Sequence, residues 1–151
     1  MNTVKLLKLF LFIFPLFWIS CSEKTEDNNG WDVCSECDVD SWIGFHSGTA
    51  SHYNAATNKT VEGLTIEVEI EETATDYFTV YIEVPQQNYY ATLSGDFVLP
   101  HAISFASSTR SVNATMLERE NQFRLSGISK RFQVTSDSII IKEVVDFDVY
   151  K

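Results

Sequence analysis

Along most of the chain the apolar positions recur every second residue. In "LTIEVEIEE", Leu64, Ile66, Val68 and Ile70 alternate with Thr65, Glu67, Glu69 and Glu71. That pattern belongs to a strand with one dry face and one wet, acidic face. "YFTVYIEV" repeats it, with Phe78, Val80, Ile82 and Val84 on one side and Tyr77, Thr79, Tyr81 and Glu83 on the other. In "SIIIKEVVDFDVYK" the shared parity is Ile139, Ile141, Val145, Phe147 and Val149, interrupted by Glu143. A helix would need spacings of three and four, and no long window has them.

Turn formers separate these runs: Asn58–Lys59, Thr73–Asp76, Pro85–Asn88, Pro100–His101, Ser107–Thr109, Glu120–Asn121 and Ser136–Asp137. They cut residues 42–151 into about eight or nine strands, and short connections favour antiparallel neighbours. The expected fold is therefore all-β: a single antiparallel meander forming a small barrel or, as second choice, a two-layer β-sandwich. About 110 residues suffice for one core, so no second domain is expected. "YATLSGDF" and "FRLSGIS" share Leu-Ser-Gly at Leu93–Gly95 and Leu125–Gly127. Each glycine is expected to allow a bulge or bend where a strand curls.

The first residues follow other rules. Lys5 and Lys8 precede an apolar run from Leu9 to Ile19, interrupted by Pro15 and followed by Ser20 and Cys21. The run covers about half of the ~30 Å hydrocarbon core and is too short to span it. A positive start, a short apolar core and a small residue before a cut mark a secretory signal, here residues 1–20. "WISC", Trp18 to Cys21, resembles the lipobox of bacterial lipoproteins, with Trp18 where that family usually has Leu. The resemblance implies transfer of diacylglycerol to the Cys21 thiol, cleavage before it and acylation of the new amine. Cys21 is then the lipidation site, and the membrane is a partner through its acyl chains. Two or three such chains hold a protein almost permanently, at ~0.8 kcal/mol per buried CH₂.

Charge extends this picture. The chain carries −10 overall, and loss of Lys5 and Lys8 with residues 1–20 takes it to −12. From Ser22 to Ser41 seven acids oppose Lys24, a net −6. Residues 21–41 are thus expected to be an acidic, disordered tether, which an anionic membrane surface repels. Glu23, Glu26 and Asp27 also resemble a surface-export signal of some Gram-negative lipoproteins, so the expected location is the outer membrane, facing either the periplasm or the cell surface. With no basic footprint, nucleic acid is not an expected partner.

With Cys21 used for lipid, Cys34 and Cys37 remain in "VCSECD". Outside the cytosol such a pair is expected to form a local disulfide. Free thiols and redox or metal chemistry are the alternatives. Asp32, Glu36 and Asp38 disfavour a reactive thiolate, and a structural zinc site would need a second pair.

"WIGFHSGTASHY", with Trp42, Gly44, Gly48 and Thr49, resembles the start of the calycin-like lipoproteins of Gram-negative bacteria. There a Gly-Thr strand opens a small barrel that binds rather than transforms. His46 and His52 share a parity and, with Asp96 or His101, form a conceivable metal set. The plainer expectation is that both histidines are exposed on a polar face, since zinc takes three or four ligands. Ser94, Asp96 and His101 form a chance-level nucleophile trio, and Glu67, Glu69 and Glu71 an acidic face spaced ~6.6–7 Å apart. No nucleophile elbow, zincin motif or phosphate loop is present. No catalytic residue, metal or cofactor is therefore expected, and the chain is not expected to be an enzyme. A transmembrane β-barrel is disfavoured by a length barely enough for the smallest.

Aromatics supply the binding residues: Tyr77 and Tyr81 on an outward parity, with Tyr89 and Tyr90 close behind. The expected function is a lipid-anchored binding or accessory module of the cell envelope for a small ligand, glycan or partner protein. The alternative is a structural or assembly subunit with no small-molecule ligand, using a sheet edge or tyrosine face. A metal-dependent or hydrolytic enzyme comes third.

Overall fold

The computed structural model describes residues 30–151. The expected signal segment, Cys21 and the first part of the expected tether lie outside them. The elements are β1 (Asp32–Val33), α1 (Val39–Trp42), β2 (Gly44–Asn54), β3 (Lys59–Ala74), β4 (Tyr77–Val84), β5 (Tyr89–Asp96), β6 (Ala102–Ala106), β7 (Arg110–Arg119), β8 (Gln122–Val134) and β9 (Ile139–Tyr150). All nine strands belong to one antiparallel sheet that curls into a half-barrel. No helix among the described residues is long and apolar enough to cross a membrane.

Two meanders make the sheet. β2–β3–β4–β5 and β6–β7–β8–β9 each run through short connections, and β2 pairs with β9 from Ser47↔Tyr150 to Asn54↔Glu143. β5 and β6 lie at the two margins of this path and meet along a seam with no strand ladder between them, while the Leu99↔Ala102 bridge closes the turn of the connection that joins them. The anticipated turns fall between strands, and Asn58, Asp76, Asn88, Glu120 and Asn121 take the left-handed conformation there. Asn and Asp tolerate that conformation better than most side chains, which is why these sequences turn.

One parity of each strand fills the interior. Leu64, Ile66, Val68 and Ile70 of β3 and Phe78, Val80, Ile82 and Val84 of β4 are all buried. Leu93, Phe105, Val112, Met116, Leu125, Val145, Phe147 and Val149 complete one apolar cluster. Trp42 plugs one end: it is fully buried, its Nε1 donates to Pro100 O at 2.9 Å, and its ring meets Phe97, which stacks on Phe78.

Three expectations are corrected. The stretch 30–41 is not wholly a solvated tether. Trp31 is buried beneath the Arg119 guanidinium and beside Tyr150, Asp32 and Val33 pair with β7, and Cys34 and Cys37 are buried and joined as a disulfide. Its apolar residues dock while its acids stay outside, and Asp38 caps α1 by accepting from Ser41 N at 2.9 Å. Charge counting over the window averaged these two groups together.

Gly95 and Gly127 mark no register shift. A Cβ on Gly95 would stand 2.4 Å from the Phe105 ring, and one on Gly127 would stand 2.7 Å from Phe147. Both glycines make room for a phenylalanine, and at Gly95 that ring closes the β5–β6 seam. Lastly, Ile139 and Ile141 are exposed, because the β8–β9 hairpin runs past the core beyond a register shift at Arg131/Phe132. Glu143, the apparent interruption, faces inward with Val145.

Candidate functional site

The strands of the two meanders differ in charge. Strands β2 to β5 carry one cation, Lys59, against seven acids, Glu62, Glu67, Glu69, Glu71, Glu72, Glu83 and Asp96, a net −6. Strands β6 to β9 carry six cations against four acids, a net +2. There Arg124 Nη2 meets Asp148 Oδ1 at 2.9 Å.

On β2–β5, alternation sends the polar parity outward and register lines it into rows. One row runs Phe45, Glu69, Tyr81, Thr92 and the next Ser47, Glu67, Glu83, Tyr90. Glu67 and Glu83 stand directly opposite each other, a like-charge pairing that costs stability. Phe45 is 71% exposed and Tyr90 53%. With Tyr81, Glu67, Glu69 and Glu83 they line a shallow groove of about 190 Å³. The Tyr81 hydroxyl is held above its ordinary value by partial desolvation first, then by the charge of Glu71, a hydrogen bond to it, and Glu69. A face of open rings among carboxylates that meet no cation among the described residues attracts cations electrostatically and offers apolar area beside them.

The four tyrosines are not one set. Tyr81 and Tyr90 come together in the groove, and Tyr77 sits farther along the same face opposite Asp96. Tyr89 belongs elsewhere: it is buried, and its hydroxyl lies 2.8 Å from Ser129 Oγ inside the sheet. Neighbours in a strand point to opposite faces, so Tyr89 and Tyr90 cannot share a ligand. Phe45 was missed by sequence reasoning. Its signal was parity, since it alternates with the inward His46.

Both histidines are buried rather than exposed. They sit six residues apart on β2, about 20 Å along the strand, so they do not converge. Burial pushes His46 below its ordinary value. The Gly44 and Val68 carbonyls nearby oppose that shift, yet neither ring nitrogen makes a hydrogen bond of good geometry. Among the described residues no three His, Cys, Asp or Glu side chains gather as a metal set. Ser94 Oγ contacts Thr79 Oγ1 at 2.8 Å, and no hydrogen bond among the described residues links Ser94, Asp96 and His101.

The end of the sheet opposite Trp42 holds a second polar assembly. His52, Tyr89, Ser129 and Glu143 are buried there. Glu143 Oε2 lies 2.7 Å from Arg131 Nε, an ion pair by distance although the N–H is poorly aligned for a hydrogen bond, and Oε1 is 3.6 Å from His52 Nε2. Arg110 donates to Tyr90 O and lies over the Tyr89 ring. Burial, foremost, keeps the Tyr89 hydroxyl above its ordinary value.

No protein-family model matches this chain, and no curated protein sequence matches it significantly.

Proposed function

We propose that this domain is a lipid-anchored, extracytoplasmic binding module that recognises a basic segment of a partner protein with the outer face of β2–β5. The observation that carries the reading is the Glu67↔Glu83 pair set among Phe45, Tyr81 and Tyr90, with no balancing cation among the described residues. A fold that keeps such a repulsion gains from it when a cation arrives. Lys or Arg side chains satisfy both halves of the surface, the charge meeting carboxylates and the stem lying on rings. The interior is filled by side chains, so a buried apolar ligand is the weaker option. The anchor rests on the lipobox resemblance at Cys21.

The test uses the full chain in detergent with a lysine- and arginine-rich peptide as probe. Tyr81→Ala and Glu69→Gln are expected to weaken binding about tenfold each, and added salt to weaken it further. Unchanged affinity in both variants, or equal binding of a neutral oligosaccharide, turns the reading down. Cys21→Ala is expected to shift the protein out of the detergent phase; equal partitioning removes the anchor.

One observation favours a second reading, an assembly subunit. The β8–β9 arm exposes Val134, Ile139 and Ile141 on one face. Sedimentation showing self-association that Ile139→Lys abolishes would support it.

A further inference from the structure

The buried polar assembly opposite Trp42 opens outward into a cavity of about 540 Å³ lined by Asn54, Thr109, Arg110, Gln133, Lys142 and Glu143, among others. We propose that this mouth is an oxyanion site for a small carboxylate- or phosphate-bearing ligand, with Arg110 and Lys142 as its cationic anchors. The site is independent of the acidic face and of the partner assigned to it.

Charge is the first argument. Arg110, Arg131 and Lys142 line the cavity against one acid, Glu143, and Glu143 is already paired with Arg131. Among the described residues neither Arg110 nor Lys142 meets a carboxylate. Two cations thus remain over a cavity in a chain that carries −10 overall. An anion would also meet the polar side chains of Asn54, Thr109 and Gln133 at the rim.

Construction is the second. Apart from His46 at the other end of β2 and Thr79, the interior elsewhere is apolar; here Glu143 and His52 are buried side by side with Tyr89 and Ser129, and His52 Nε2 finds no hydrogen-bond partner. Burying such groups costs stability unless they are satisfied. Here they have a use. Glu143 fixes Arg131 at 2.7 Å, and the Tyr89 ring and Tyr90 carbonyl steady Arg110, so the guanidinium is held before any ligand arrives. A planar guanidinium presents paired donors to two oxyanion oxygens, whereas Lys142 adds a mobile point charge. The volume falls in the range of roughly 300–1,000 Å³ common for small-ligand sites, larger than a bare ion requires.

The experiment titrates the full chain in detergent with inorganic phosphate, and separately with acetate, following amide NMR shifts at constant ionic strength set with chloride. Saturable shifts confined to Asn54, Thr109–Arg110, Arg131–Gln133 and Lys142–Glu143 are expected from at least one oxyanion. Arg110→Gln and Lys142→Gln should each weaken that binding about tenfold, while Lys130→Gln, which removes the same charge from the other face of β8, changes it less than about twofold. Arg110 also supports the fold through Tyr90 O, so the exposed Lys142 decides the outcome if Arg110→Gln unfolds. Absence of saturable shifts from both anions overturns the proposal. So does an equal loss in Lys130→Gln, which would mean diffuse charge attraction only.

Discussion

The two meanders of this sheet build nearly identical interiors and opposite exteriors. Inside, both send alternate aliphatic and aromatic residues into one cluster. Outside, β6–β9 mixes both signs and pairs some of them, as Arg124 does with Asp148, while β2–β5 sets Glu67 against Glu83 between open rings. Packing is therefore indifferent to which half a strand belongs to, and electrostatics is not. The difference says that the outer face of β2–β5 is shaped by something other than the stability of the sheet.

The largest way to break the comparison is to let the halves part. Trp42 spans them at the plugged end, held by Pro100 O and Phe97 from the β5–β6 connection. Trp42→Ala is expected to lower unfolding free energy by about 3–5 kcal/mol, measured by denaturant titration. Because the seam lacks a hydrogen-bonded ladder, hydrogen exchange should quicken first at the β5 and β6 edges; equal quickening across the sheet would count against a weak seam.

Removing one negative charge from each half sharpens it further, because the sign should differ. Glu83→Gln relieves a directly opposed pair and should stabilise by about 0.2–1 kcal/mol. Asp148→Asn breaks an ion pair with Arg124 and should destabilise by a similar ~0.2–1 kcal/mol, discounted for its partial exposure. Thermal melts of the two variants at low salt check this. The same sign in both would erase the distinction between the halves.

The smallest effect is one of pH. His46 is held below its ordinary value of 6.5 by burial. The unfolded chain therefore binds more protons than the fold as pH drops under 6.5, so stability is full above that value and declines below it. Melting temperature should fall between pH 7 and pH 5, and His46→Phe should flatten the part of the slope that His46 contributes. A slope unchanged in the variant would assign it entirely to other groups. Lys151, whose charge also disfavours the protonated ring, lies on the same side of the balance.

How much of this was legible in the chain follows from which forces act locally. Alternation is local, and it located the cores of β3 and β4 residue by residue, because one face of each must be dry. Turn chemistry is local too: Asn58, Asp76, Asn88 and Asn121 adopt the backbone their residue types allow. What alternation could not supply was the partner across the sheet. It placed Tyr81 outward but not beside Phe45, Glu67 and Tyr90, since only register brings them together. It treated Tyr89 and Tyr90 as companions although adjacent residues diverge. Glu143 looked like a fault in a strand because the arginine that pairs with it, Arg131, is in another strand. Trp31 and Cys34 were hidden by the acids around them, whose charge outweighed two buried side chains in any window average.

Pairing of β2 with β9 has one further consequence. Written as a circle, the sheet is a plain eight-strand meander running β6 to β9 and then β2 to β5, and the chain is that meander cut at its middle and read from the cut. The half synthesised first must therefore expose the bare margin of β2 until the final strand arrives to cover it. Polar Ser47, Thr49 and Ser51 along that strand suit such a wait, and the slowest step of maturation should be the moment when first and last strands zip.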